Sequence, residues 1–272
     1  MALAALLLAA LLQVPDPPSP AVTYAGQDRH REAVEKGLTL PAADDVAAWT
    51  KKGAHYKRVL GILLDRQHWA DALAAIEERT GLWGADAPLE IKIVFRELKE
   101  PAAGTGVRGK GEVALDVEKL AKYEKSIIDY EKLKEKVAVV VPPCRTDRIV
   151  FHELTHCFQH GKQPAWLLEG AATFVAGDGH FVAFFRADGV KVKDVDADYE
   201  YKHLYARGWA FLEYVKAKHG DAALKKLLGA AFRDGTPVEK AAAEATGLSW
   251  EDLKAAEREW SAKWVYNFKV KK

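Results

Sequence analysis

The segment Val150-Phe151-His152-Glu153-Leu154-Thr155-His156 carries two histidines four residues apart, with a glutamate directly after the first. Residues at that spacing stand one above the other on one helix face. Both imidazoles can then reach a single ion at the roughly 2.0–2.1 Å that zinc–nitrogen bonds require. Glu153 is turned by about 100° from His152, so it flanks such an ion rather than binding it. A carboxylate in that position is a candidate general base for water at the ion. Catalytic zinc sites usually take three protein ligands and keep one position open. The candidate third ligand is Glu169, thirteen residues past His156 in Pro164-Ala165-Trp166-Leu167-Leu168-Glu169-Gly170-Ala171-Ala172. This spacing predicts a helix, a turn at Gly161, and a second helix begun by Pro164 that folds back beside the first. Gly170, Ala171 and Ala172 would permit close helix–helix approach at that point.

His-Glu-x-x-His followed by Pro-x-Trp-Leu-x-Glu-Gly-x-Ala resembles the gluzincin metallopeptidases, in particular their short-spacing, peptidase MA-like group. The likeness runs from about Ile91 to Trp264, specific at 149–176 and diffuse elsewhere. Tyr205-Ala206, Phe211-x-x-Tyr214 and His219-Gly220 are similar to the helix that follows the glutamate helix in that group. The resemblance implies a zincin-like fold, a zinc ion (Zn2+) held by His152, His156 and Glu169, and hydrolysis of a peptide or protein substrate. It also implies that Glu153 is the general base and that a Tyr or His stabilises the oxyanion. Tyr205 is the first candidate for that role, with His203 and His180 behind it. Some gluzincins place an acid one turn beyond the ligand glutamate, where it orients a metal-binding histidine. Thr173 stands there in this chain, so either another acid supplies the contact or metal affinity is lower. The metzincin pattern fits worse, because Gln159 and Lys162 occupy the positions where it needs Gly and His. His160 continues the histidine face but would lie about 12 Å along the axis from His152, too far to share the ion. It reads as a cation or hydrogen-bonding group at the helix C-terminus.

Other elements must position these residues. Gln27 to Trp83 shows apolar residues at helical spacing, among them Leu60, Leu63, Leu64, Trp69, Leu73 and Ile76. Leu89 to Phe95 and Glu112 to Val117 alternate as strands, joined through a Gly-rich connection from Gly104 to Gly111. Glu118 to Lys136 reads as a charged helix, and Lys136 to Val141 as a third strand. The active-site helix is expected over Asp147–His160, and a hairpin within Phe181–Val195. Further helices are expected at Lys202–His219, Asp221–Phe232, Pro237–Thr246 and Ser249–Phe268. Ser249 and Asp252 form a start resembling a capping box. The fold class is therefore α+β, a small mixed sheet on an active-site helix with a mainly helical C-terminal part. Domain organisation reads as a leader at 1–21, a helical segment at 22–85 and the zincin-like domain at 86–272. Either Glu112–Val117 or Val137–Val141 is a candidate edge for pairing with an extended peptide.

Composition sets the outer bounds. The 272 residues are 49% hydrophobic and 29% charged, with 40 basic against 39 acidic residues. A net charge of +1 without a basic stripe excludes a nucleic-acid footprint. The apolar run from Ala2 to Leu12 would rise only about 17 Å as a helix, too short to span a bilayer. Followed by Pro15, Pro17, Pro18 and Pro20, it reads as a signal peptide, so the protein is expected to be exported, periplasmic or extracellular. Two cysteines, Cys144 and Cys157, make no disulfide framework and are expected to stay free thiols. Two rival functions remain: a zinc-binding but non-catalytic scaffold, and a binding protein in which the motif is accidental. Glu153 speaks against the first, since a purely structural site has no need of a base.

Overall fold

The computed structural model of this chain describes residues 27–83, 91–99, 102–108, 110–124, 146–177 and 201–266. The protein is mixed α+β, mainly helical with one small four-stranded sheet. It divides into two compact units, one built on residues 22–160 and one on residues 161–272. The leader, the strand expected at Lys136–Val141, the hairpin expected at 181–195, Cys144 and His180 lie outside the described residues. No described helix is long and apolar enough to cross a membrane.

In the unit built on 22–160, the expected helical stretch breaks into α1 (Gln27–Gly37), α2 (Ala43–Thr50), α3 (Ala54–Leu63) and α4 (Arg66–Thr80). Asp65 starts α4 by accepting the Gln67 N–H at 2.9 Å, and Gly81, at φ 67°, ends it. Trp69, Leu73 and Ile76 are fully buried, and the Trp69 indole donates to the Leu63 carbonyl at 2.8 Å. The sheet contains β1 (Leu38–Thr39), β2 (Ile91–Phe95), β3 (Gly104–Gly106) and β4 (Glu112–Leu115), in spatial order β1-β2-β4-β3. β2 runs parallel to both β1 and β4, with Ile93 opposite Val113. β3 is antiparallel to β4, with Thr105 opposite Ala114.

Two expectations change here. β3 occupies what reads as a loop, because a Gly-Thr-Gly strand has no side-chain alternation to show. β4 lies between β2 and β3, so Glu112–Val117 is not an edge; among the described residues the edge beside β4 is β3.

A buried knot fixes the entry to β3. Asp116 accepts the Leu98 N–H at 3.0 Å and the Lys119 N–H at 3.1 Å. Lys119 Nζ donates to the carbonyls of Leu98, at 2.6 Å, and Ala102, at 3.1 Å. These bonds pair the Leu98 N–H and the carbonyls of Leu98 and Ala102 with buried side chains.

The helix that carries the histidine pair, α5, runs Thr146–Cys157. Its first N–H groups have no intrahelical partner. Glu124, buried and held by Arg58 at 3.0 Å, accepts the Thr146 N–H at 3.4 Å. His68 on α4 donates to the Asp147 carbonyl at 3.0 Å and meets the Phe151 ring edge-on at 5.3 Å. Val150 and Leu154 are fully buried. The helix stops earlier than expected. Phe158 N–H bonds to Thr155 O and Gln159 N–H to His156 O, a tightened last turn. His160 is thus exposed beyond the helix and does not extend the histidine face.

In the unit built on 161–272, α6 (Ala165–Ala176) starts behind Pro164, which suits a position where an N–H would have no partner. The Gln163 amide donates to the carbonyls of Ala231, at 2.7 Å, and Thr236, at 2.8 Å, anchoring the segment before α6. α7 (Tyr201–Leu228) is interrupted at Gly220, at φ 83° and ψ 170°, so two helices meet there as the sequence suggested. A π-helical turn (Gly229–Arg233), α8 (Val238–Thr246) and α9 (Trp250–Tyr266) follow. Ser249 accepts the Asp252 N–H at 3.2 Å, the expected cap.

The close approach foreseen around Gly170 is made with α7. A Cβ on Gly170 would lie 2.2 Å from Gly208 Cα, and one on Gly208 would lie 1.9 Å from the Trp166 carbonyl. Only two glycines let the backbones meet this closely. Arg207, one residue before that contact, forms a buried bidentate pair with Glu257, Nη1 to Oε1 at 2.7 Å and Nη2 to Oε2, tying α7 to α9.

His68 makes acid stability testable. Its burial lowers the imidazole pKa, only partly offset by the Asp147 carbonyl and the carboxylates of Asp147, Asp65 and Asp71. A histidine with a depressed folded pKa costs nothing while both states are neutral, above about pH 6.5. As pH falls below that value the unfolded chain gains the proton first, so stability drops until the folded pKa is reached. Urea midpoints from pH 7 to 5 should fall more steeply for the parent than for His68→Gln, which keeps an N–H donor. Parallel pH curves would contradict a neutral, buried His68.

Candidate metal centre

α5 presents His152 and His156 one turn apart, with ring centroids 4.9 Å apart and planes at 82°. His156 is buried and His152 half-buried. Glu169 stands on α6, also half-buried. One ligand atom from each of His152, His156 and Glu169 lies within 4.8 Å of the others, so the three can hold a metal ion. Two imidazoles and one carboxylate suit zinc and other borderline divalent ions, and leave a coordination position unused by protein. The helix spacing explains the pair: the ladder sets the two rings at i and i+4 without further constraint.

His156 has one nitrogen already committed. Its Nδ1 lies 2.8 Å from the Gln159 Oε1, and Gln159 is fully buried. An imidazole donating Nδ1–H to that oxygen keeps its Nε2 lone pair free for a metal. In the sequence Gln159 figured only as a mismatch to the metzincin pattern. The available signal was a hydrogen-bonding amide three residues after the second histidine, where the chain turns off the helix.

Glu153 is not one of the three donors. It is buried, and its Oε2 accepts the Gly106 N–H at 2.7 Å. The ladder explains why that N–H is free. Ala103 O accepts from Asp116 and Val107 N–H donates to Glu112 O, so the odd-numbered residues of this strand turn toward β4. Gly104 and Gly106 turn their backbone groups the other way. Both must be glycine. A Cβ on Gly104 would sit 2.7 Å from Glu153 Cγ, and one on Gly106 only 2.0 Å from the Glu153 carbonyl oxygen and 2.9 Å from His156 Cβ. The β3 backbone therefore lies directly against the turn of α5 that bears Glu153 and His156.

The remaining candidates separate. The Thr173 hydroxyl donates to the Glu169 carbonyl at 2.8 Å, one turn back on its own helix, rather than to a ligand histidine. Tyr205 is half-buried on α7, three residues before Gly208 and so on the face that meets α6 next to Glu169. His203 belongs to α7, but its side chain is outside the described set. Cys157 is free and buried, its thiol donating to the carbonyls of Glu112 and Glu153, each at 3.7 Å. Burial first, and the Glu153 charge second, push its pKa up to about 12, so it is an inert thiol rather than a ligand.

Compared with protein-family models, with curated proteins and with solved structures, the chain matches none.

The β3–α5 contact yields a stability test. Gly106→Ala must push the strand off the helix, and overpacking of this kind typically costs about 1–3 kcal/mol, sometimes more. Chemical denaturation should show at least that loss. A Gly106→Ala variant as stable as the parent would mean that β3 does not rest on α5.

Proposed function

We propose that this protein is a zinc-dependent peptidase of the gluzincin kind, with a zincin-like fold, acting on a peptide or protein substrate. The observation that carries the reading is a division of labour among side chains. Three donors form the group that can hold the ion, while Glu153, one residue from a ligand, stays outside it and is oriented by the Gly106 amide. A purely structural site would need only the donors.

A zinc ion bound by His152, His156 and Glu169 would polarise the scissile carbonyl and make water acidic enough to react near neutral pH. The residues do the rest. Glu153 takes the proton of the attacking water and hands it to the leaving amine. Its hydrogen bond to Gly106 holds one carboxylate oxygen and leaves the other to accept that proton. Tyr205 is the proposed oxyanion donor, since its place on α7 puts it on the face packed beside the glutamate ligand. The same reading takes the protein as exported, on the strength of the apolar run and the prolines that follow it.

The test combines metal content with hydrolysis of a peptide library. Glu153→Gln keeps shape and hydrogen-bonding reach, so it should retain zinc while hydrolysis falls by at least about 10²–10⁴-fold. His152→Ala, His156→Ala and Glu169→Ala should each lose or strongly weaken zinc. Normal hydrolysis in Glu153→Gln would remove the proposed base. Zinc binding with no hydrolysis by the parent on any peptide would favour the scaffold reading instead.

A further inference from the structure

We infer that Gln159 is the positioning residue for the metal ligand His156, a neutral amide doing what a carboxylate commonly does beside a zinc-binding histidine. The inference rests on the reading of His156 as a ligand, and goes beyond it to how that ligand is held and how tightly the ion binds.

Geometry on one short stretch of chain carries it. α5 ends at Cys157, and the tightened turn through Thr155–Phe158 and His156–Gln159 swings residue 159 back under the last helical turn. Gln159 arrives there fully buried, with Oε1 2.8 Å from His156 Nδ1. A buried side-chain amide is costly unless its polar atoms are paired, so this contact is enforced rather than incidental. The amide oxygen can only accept, so it selects the imidazole tautomer with the proton on Nδ1. That tautomer leaves Nε2 unprotonated, the state in which an imidazole nitrogen can bind a metal. The β3 backbone packs against the same residue: a Cβ on Gly106 would come 2.9 Å from His156 Cβ.

The position one turn past Glu169, where an acid might have oriented a ligand, is Thr173, and its proton goes to its own helix. Gln159 therefore answers the question that Thr173 raised. The orienting contact to His156 comes from the end of the same helix, and it is uncharged. An amide polarises the imidazole less than a carboxylate does, so the backing that Gln159 gives His156 is weaker than a carboxylate at that position would give.

The experiment measures zinc affinity of the full chain by competition with a chromophoric chelator, with no use of peptide hydrolysis. Gln159→Met conserves volume but supplies no comparable acceptor, and should weaken zinc about 10–100-fold, the usual cost of losing such a partner. Gln159→Glu restores an acceptor of the same reach, now charged, and should bind zinc at least as tightly as the parent. Circular dichroism of the metal-free variants shows whether each folds. If Gln159→Met fails to fold, Gln159→Glu decides alone. Parent-like affinity in a folded Gln159→Met overturns the inference, as does weaker binding in a folded Gln159→Glu. Zinc bound by the parent but indifferent to residue 159 defeats this inference alone, whereas no zinc bound by the parent defeats the site itself.

Discussion

The arrangement depends on how closely a strand can lie on a helix. Glu153 and His156 stand three residues apart on neighbouring positions of α5, and one backbone passes against both. That backbone is β3, and it fits only because Gly104 and Gly106 have no side chain: a Cβ on Gly106 would come within 2.0 Å of the Glu153 carbonyl. Close approach delivers the Gly106 N–H to the Glu153 carboxylate at 2.7 Å. It also seals the sheet side of the helix, where the Cys157 thiol reaches the Glu112 carbonyl. A larger residue at either glycine would open a gap, expose the Glu153 carboxylate to water and release the constraint on the histidine turn.

Everything around this contact serves to hold its two partners in place. The Asp116–Lys119 knot fixes the turn that feeds β3, and the ladder to β4 sets which of its amides point at the helix. Glu124 and His68 fix the other end of α5, Glu124 by accepting the otherwise unpaired Thr146 N–H and His68 by donating to the Asp147 carbonyl. In the second unit the same device recurs with different partners. Gly170 and Gly208 let α6 and α7 touch backbone to backbone one residue from Glu169, and the buried Arg207–Glu257 pair locks α7 next to that point. Glycine pairs, rather than long side-chain interfaces, thus define where both ligand-bearing helices sit.

Much of this was legible in the sequence, and the illegible parts have physical reasons. The histidine pair could be read because i and i+4 spacing carries the geometry of one helix face without reference to the rest of the chain. Glu169 could be read because a turn at Gly161 and a start at Pro164 limit where the next helix can go. The helical character of Gln27–Trp83 showed itself through its apolar period, although its division into α1 to α4 did not. β3 could not be read, since two of its three residues are glycine and alternation needs side chains. The end of α5 was misjudged because nothing at 158–160 breaks a helix; the tightened turn at Cys157 is a tertiary outcome. Gln159 was not singled out because an amide three residues past a histidine carries no signature of its own until burial forces the pair together. The partner of Gly170 was likewise a tertiary fact, for small residues announce a close approach but not what approaches.

X-ray absorption at the zinc edge of the purified, zinc-loaded protein tests the central claim most directly. The account predicts one zinc per chain in a shell of nitrogen and oxygen donors at about 2.0–2.2 Å, with imidazole scattering from two histidines and no sulfur. A sulfur donor at about 2.3 Å, or a shell without two imidazoles, would contradict it.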